Sequence, residues 1–198
     1  MPDVPATPET PVLKPENKPH WAQNEINWAL ENDIMKNKTQ TDFEPEGLTT
    51  REEFVSCMLK VIEMQPKAYQ GGFDDISTDN AFSGYLQAAV DGGIISADKS
   101  FYPQRAITRE ELCKIVAEGL RCVQIQTETA DNLKSYEDSS IISQWATPYV
   151  SRMVAAGLLK GVSDTQFLPK GNVTRAQAAV VLKRIVSFID ASKAGGAI

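Results

Sequence analysis

Phe167-Leu168-Pro169-Lys170-Gly171-Asn172-Val173-Thr174-Arg175-Ala176-Gln177 has two counterparts upstream. Phe101-Tyr102-Pro103 is followed by Ile107-Thr108-Arg109-Glu110-Glu111, and Phe43-Glu44-Pro45 by Thr49-Thr50-Arg51-Glu52-Glu53. In every copy the arginine stands eight residues after the phenylalanine and six after the proline. A spacing kept in three copies identifies a chain of three repeats.

The stretch has a direct physical reading. Aromatic-x-Pro predicts an extended segment, because proline fixes φ and steers its predecessor away from helix. Thr-Arg-x-Glu/Gln before an apolar run is the capping-box pattern, with Thr50, Thr108 and Thr174 as N-caps and Glu53, Glu111 and Gln177 reaching back from N3. The arginines then occupy the first helical position, where a cation meets the positive end of the helix dipole at a cost of roughly 0.3–1 kcal/mol. Arginine there in all three copies points to an anion held between guanidinium and free backbone N–H groups. The alternative is a surface arginine that covers apolar area or pairs with an acid.

Composition narrows the class. With 42% hydrophobic and 23% charged residues, 198 residues suffice for a real core. A formal charge of −6 and the absence of a basic cluster argue against a nucleic-acid partner. No apolar run approaches a membrane span, so membrane insertion is not expected. Cys57, Cys113 and Cys122 form no CxxC or Cys/His group. Cys57 and Cys113 fall on the apolar pattern of their helices, as small buried hydrophobes do. There is one histidine, His20, and neither a nucleophile elbow nor a metal-ligand or cofactor motif. The adjacent acids Asp74/Asp75 and Glu137/Asp138 have diverging side chains, a poor arrangement for glycosidase chemistry.

Residues 1–19 hold six of the eleven prolines and read as a semi-rigid linker, implying cargo upstream. The repeats span residues 20–66, 72–124 and 133–191, and 192–198 reads as a flexible tail. Each repeat carries two helices, six in all. One repeat of this size buries too little to stand alone, so the three must share a core, as an all-α assembly about a pseudo-threefold axis. Trp21 and Trp145 each lie thirty residues before the arginine of their repeat. In repeat two the matching position is Ala81 or Phe82. Phe43, Phe101 and Phe167 are core anchors; Trp21 and Trp145 are either inter-repeat core or ligand platforms.

The ordered set of aromatic-acid-Asp, Trp-Ala, a helix ending in Gly-Leu/Ile, Phe-x-Pro and Thr-Arg-x-Glu resembles the S-layer homology (SLH) domain family over about residues 20–190. The resemblance implies a central three-helix bundle and grooves between repeats. It further implies non-covalent, non-catalytic anchoring at the bacterial cell surface to an anionic secondary cell-wall polysaccharide, commonly pyruvylated. By motif match Arg51, Arg109 and Arg175 would meet the pyruvyl carboxylate. Asp75 and Asp138 would accept sugar hydroxyls, and Trp21 and Trp145 would wall the grooves. Gly161 belongs to the same ligand set, in the most family-like repeat. Repeat one departs by lacking the aromatic-acid-Asp opening and by having Asp33 and Asn37 where repeat three has Gly157 and Gly161. The cargo would be a surface protein or a wall hydrolase such as a phage lysin. A helical protein–protein scaffold is the competing class, and an intrachain trimer of repeats is compatible with a monomer.

Overall fold

The Thr-Arg segments open helices where their spacing predicts. In a computed structural model, which describes residues 19–129 and 133–195, the six α-helices are α1 Gln23–Glu31, α2 Arg51–Val61, α3 Ser83–Asp91, α4 Arg109–Cys122, α5 Thr147–Ala155 and α6 Arg175–Gly195. Short 3-10 turns at Leu133–Ser135 and Ser139–Ile141 open repeat three. The fold is all-α, without a sheet among the described residues.

The threonine caps form as expected. Thr50, Thr108 and Thr174 accept from the N3 amides of Glu53, Glu111 and Gln177. Glu111 and Gln177 complete the box by accepting from the Thr108 and Thr174 amides. Glu53 does not, because its carboxylate is turned toward Arg175 and Lys38.

What joins the repeats is a closed cycle. Thr49 N donates to Val173 O at 2.9 Å, Val173 N to Ile107 O at 3.0 Å, and Ile107 N to Thr49 O at 3.0 Å. All three residues are buried. The helix starts follow the same order. The amides of Arg51 and Glu52 donate to Arg105 and Pro103, those of Arg109 and Glu110 to Gly171 and Pro169, and those of Arg175 and Ala176 to Gly47 and Pro45. Repeat one thus leans on two, two on three, and three on one. These bonds satisfy the orphan N–H groups of each first turn. The free amides that the sequence reading offered to an anion are therefore occupied by the neighbouring repeat.

The helices pack across repeat boundaries as well. α3 lies on α2, α5 on α4 and α1 on α6, while α2 also contacts both α4 and α6. Helix α2 comes so close to α4 that a Cβ on Gly119 would stand 2.5 Å from Met58 Cε. Phe54, Leu59, Leu112, Leu120, Leu182 and Ile185 fill the shared interior. Truncating one such leucine to alanine costs about 2–5 kcal/mol.

Three expectations are revised. The middle residue of aromatic-x-Pro is not extended: Glu44, Tyr102 and Leu168 have φ of 53°, 58° and 60°. Carboxylates hold two of these turns. Asp75 accepts from the amides of Phe101 and Tyr102 (2.8 and 2.7 Å), and Asp138 from those of Phe167 and Leu168 (2.9 and 2.7 Å). In repeat one Asp42 takes over, accepting from Glu44 N. The second revision concerns the tail. Helix α6 continues to Gly195, favoured by the helix formers Ala191, Lys193 and Ala194. Residues 196–198, and the linker apart from Pro19, lie outside the described residues. Third, the repeat-two ambiguity resolves. Ala22, Phe82 and Ala146 are the N-caps of α1, α3 and α5, so Ala81 holds the tryptophan position.

Asp33 does adopt the left-handed conformation of Gly93 and Gly157, with φ of 52°. Gly161 is glycine for another reason. A Cβ there would lie 2.6 Å from Tyr136 Cε1 and 2.5 Å from Ser163 O. Repeat one, where Asn37 stands at this position, has no aromatic opening segment to press on the loop.

Candidate functional site

Each arginine extends from its helix start into the aromatic-x-Pro loop of the next repeat. Arg51 Nε donates to Phe101 O at 3.0 Å, Arg109 Nε to Phe167 O at 2.7 Å and Arg175 Nε to Phe43 O at 2.7 Å. Each guanidinium lies over the ring of that phenylalanine, 4.8, 4.7 and 4.4 Å from its centroid. Burial makes the charged form costly and lowers all three arginine pKa values.

Three grooves adjoin these arginines; two draw on all three repeats, and the third is lined by repeats one and two. The Arg51 groove (≈ 190 Å³) takes Ile94–Phe101 and α4 from repeat two and Trp145 from repeat three. The Arg109 groove (≈ 320 Å³) takes Leu159–Val162 and α6 from repeat three and Trp21 from repeat one. The third (≈ 200 Å³) takes Ile34–Lys36 and α2 from repeat one and Ala81–Phe82 from repeat two, with Arg175 beneath it. Trp21 is 64% exposed and Trp145 47%, so neither is core. The alanines after them carry the packing, both at 0% exposure.

The arginines differ in their counter-charges. Arg51 Nη1 meets Glu111 Oε1 at 2.9 Å, and Glu111 also pairs with Arg105. Burial alone would raise the Glu111 pKa, but the bonds from Arg105 and Thr108 and the charge of Arg51 outweigh it and hold it low. Arg175 has 0% exposure and is paired with Glu53. Direct contact between Arg175 and a ligand would require the structure around it to open. Among the described residues Arg109 has no carboxylate partner, because Gln177 occupies the position of Glu53 and Glu111.

Asp75 and Asp138 lie behind the grooves, each with both oxygens engaged by loop amides. Gly161 lines the Arg109 groove, its amide bonded to Tyr136 Oη at 3.1 Å. The structure thus brings Trp21, Arg109 and Gly161 into one groove and Arg51 and Trp145 into another. Sequence reasoning treated Glu53, Glu111 and Gln177 only as capping residues. Their second role as arginine counter-charges, and its absence in Gln177, carried no local signal. No group of His, Cys, Asp and Glu among the described residues could hold a metal ion.

Comparison with known proteins matches this repeat architecture. The model of the S-layer homology domain matches residues 16–55, 72–113 and 135–179, well over half of the chain. Exoglucanase XynX of Acetivibrio thermocellus is 32% identical over 166 residues, 83% of this chain and 15% of that protein. The cellulosome-anchoring protein of the same species is 28% identical over 151 residues, 72% of this chain and 33% of that protein. The surface-layer 125 kDa protein of Lysinibacillus sphaericus is 25% identical over 178 residues, 87% of this chain and 14% of that protein. The chain therefore spans about a third or less of these relatives.

Proposed function

The chain belongs to the S-layer homology domain family, and we propose that it anchors its parent protein non-covalently to the bacterial cell wall. Its place is the cell-wall surface, and no helix among the described residues is long and apolar enough to cross a membrane. The ligand in this reading is an anionic secondary cell-wall polysaccharide carrying pyruvyl carboxylates, and the chain itself is non-catalytic. The observation that carries it is the exposed Trp21 standing in one groove with Arg109, a motif arginine that no carboxylate of the described residues occupies. A sugar ring stacks on the indole while its acidic substituent meets the guanidinium.

Arg109 sets the positive potential of its groove, while Arg51 and Arg175 are offset by Glu111 and Glu53. Asp75 and Asp138 hold the loops in place, and each carboxylate oxygen retains a lone pair for a sugar hydroxyl. Gly161 keeps its loop tight against Tyr136. The cyclic contacts support a pseudo-threefold assembly within one chain, and hence a monomer. Names among the relatives favour this reading: one is a cellulosome-anchoring protein, and the exoglucanase illustrates an enzyme as cargo.

Sedimentation with purified wall sacculi tests the proposal. The protein should pellet with sacculi that retain the pyruvylated polymer and stay in solution with sacculi stripped of it. Equal pelleting with both, or with neither, overturns the anchoring reading.

A further inference from the structure

The three grooves have matching positions but different charges. In the Arg51 groove Glu111 and Asp98 offset Arg51 and Lys114. Lys114 Nζ also lies 6.0 Å from the Trp145 ring centroid, over the face a sugar would use. In the third groove Glu53 is paired with Arg175 and Lys38, Lys60 is bonded to Asp33, and the platform position is Ala81. The Arg109 groove is lined by Arg109, Lys160 and Arg184 and contains no acid. Here Gln177 replaces the glutamate, and Val180 replaces Lys114, leaving Trp21 without a cation over its ring.

Arg109 is only 5% exposed, and its bonds go to two carbonyls, Phe167 O and Lys160 O. Asp138 is bound to loop amides and forms no ion pair with Arg109. Among the described residues Arg109 forms no ion pair, and neither do Lys160 and Arg184. A nearly buried guanidinium without a counter-ion is costly. The other two motif arginines obtain theirs from within the chain.

We propose that the Arg109 groove is the single anion-binding groove of this chain, selected by Gln177, and that its ligand is a sugar bearing one carboxylate which supplies the missing counter-charge. This rests on the anchoring reading and assigns it to one place. In the other two grooves Glu111 and Glu53 occupy the arginine and exclude the anion. Glu111 shows that a glutamate at this position can cap its helix and block its arginine together, since Oε2 bonds Thr108 while Oε1 bonds Arg51.

Titration calorimetry with a pyruvylated oligosaccharide released from the wall polymer, and with the same oligosaccharide depyruvylated, tests the assignment. Wild type should bind one pyruvylated oligosaccharide per chain. Gln177→Glu, which introduces a residue that repeats one and two already carry, should fold normally by circular dichroism. Its affinity should fall by at least about tenfold, the loss of one charge-assisted contact. The reciprocal Glu111→Gln should raise the stoichiometry toward two. Wild-type affinity in Gln177→Glu, two or three sites in wild type, or equal binding of the depyruvylated sugar overturns the single-groove assignment while the anchoring reading stands. No binding by folded wild type to either sugar overturns both.

Discussion

The guanidinium of Arg175 lies 4.4 Å from the ring centroid of Phe43, although the two residues stand at opposite ends of the folded chain. Through this contact repeat three holds repeat one, and the cycle of repeats closes. Arg175 Nε also donates to Phe43 O and Nη2 to Lys36 O, and its ion pair reaches a Glu53 side chain that is only 11% exposed.

Arg175→Ala should therefore destabilise the fold by about 3–5 kcal/mol, because it leaves Glu53 with Lys38 alone and strands two carbonyls that the guanidinium satisfied. Urea denaturation followed by circular dichroism measures this. A loss under about 1 kcal/mol, the size of a surface ion pair, would show that the closure is not structural.

Thr49 offers the opposite sign. It sits in the ring of backbone bonds with Ile107 and Val173 at 0% exposure, and its Oγ1 has no partner among the described residues. Thr49→Val keeps the shape and removes the stranded hydroxyl, so it should stabilise by about 1 kcal/mol. A thermal melt showing a lower Tm would argue for a partner at that hydroxyl.

Trp21 should separate binding from folding. With most of its surface exposed, Trp21→Ala should alter stability by no more than about 0.5 kcal/mol. If the indole is the sugar platform of the Arg109 groove, wall-polymer affinity should drop by about tenfold, roughly the worth of one aromatic contact. Unchanged affinity would remove the indole from the site.

The cysteines should differ in reactivity. Burial pushes the Cys57 and Cys113 thiols up to about 12, whereas Cys122 is partly exposed and raised less far. A raised pKa keeps a thiol protonated, so at pH 8 the two buried groups present almost no thiolate. A thiol-reactive chromophore should label one cysteine per native chain, Cys122, and three after denaturation. Labelling of Cys57 or Cys113 without denaturant would reveal local opening of α2 or α4.

Much of this was legible in the sequence, and what was not has a common cause. Caps, repeats and the Phe43, Phe101 and Phe167 anchors follow from spacing, because a motif records how a residue relates to its near neighbours. The targets of Arg51, Arg109 and Arg175 lie in other repeats, and no spacing within one repeat names them. Asp75 and Asp138 read as ligand acceptors because their bonds to amides 26 to 30 residues away are invisible locally. The left-handed turns at Tyr102 and Leu168 run against local preference and are held by those same distant bonds, whereas Asp42 holds Glu44 from two residues away. Gln177 was read as an equivalent of glutamate, which it is for capping. Only the arginine across the repeat boundary turns the lost charge into a difference between grooves.

The packing of α1 on α6 has a mechanical meaning. Tension applied at the N-terminal end of α1 is delivered first to the seam between α1 and α6 and would peel it open like a clasp. Trp21 stands on one bank of the Arg109 groove, while Gln177, Val180 and Arg184 of α6 stand on the other. A polysaccharide lodged there would suture the seam that carries the load, so the strand being gripped would itself resist the unfastening of its holder.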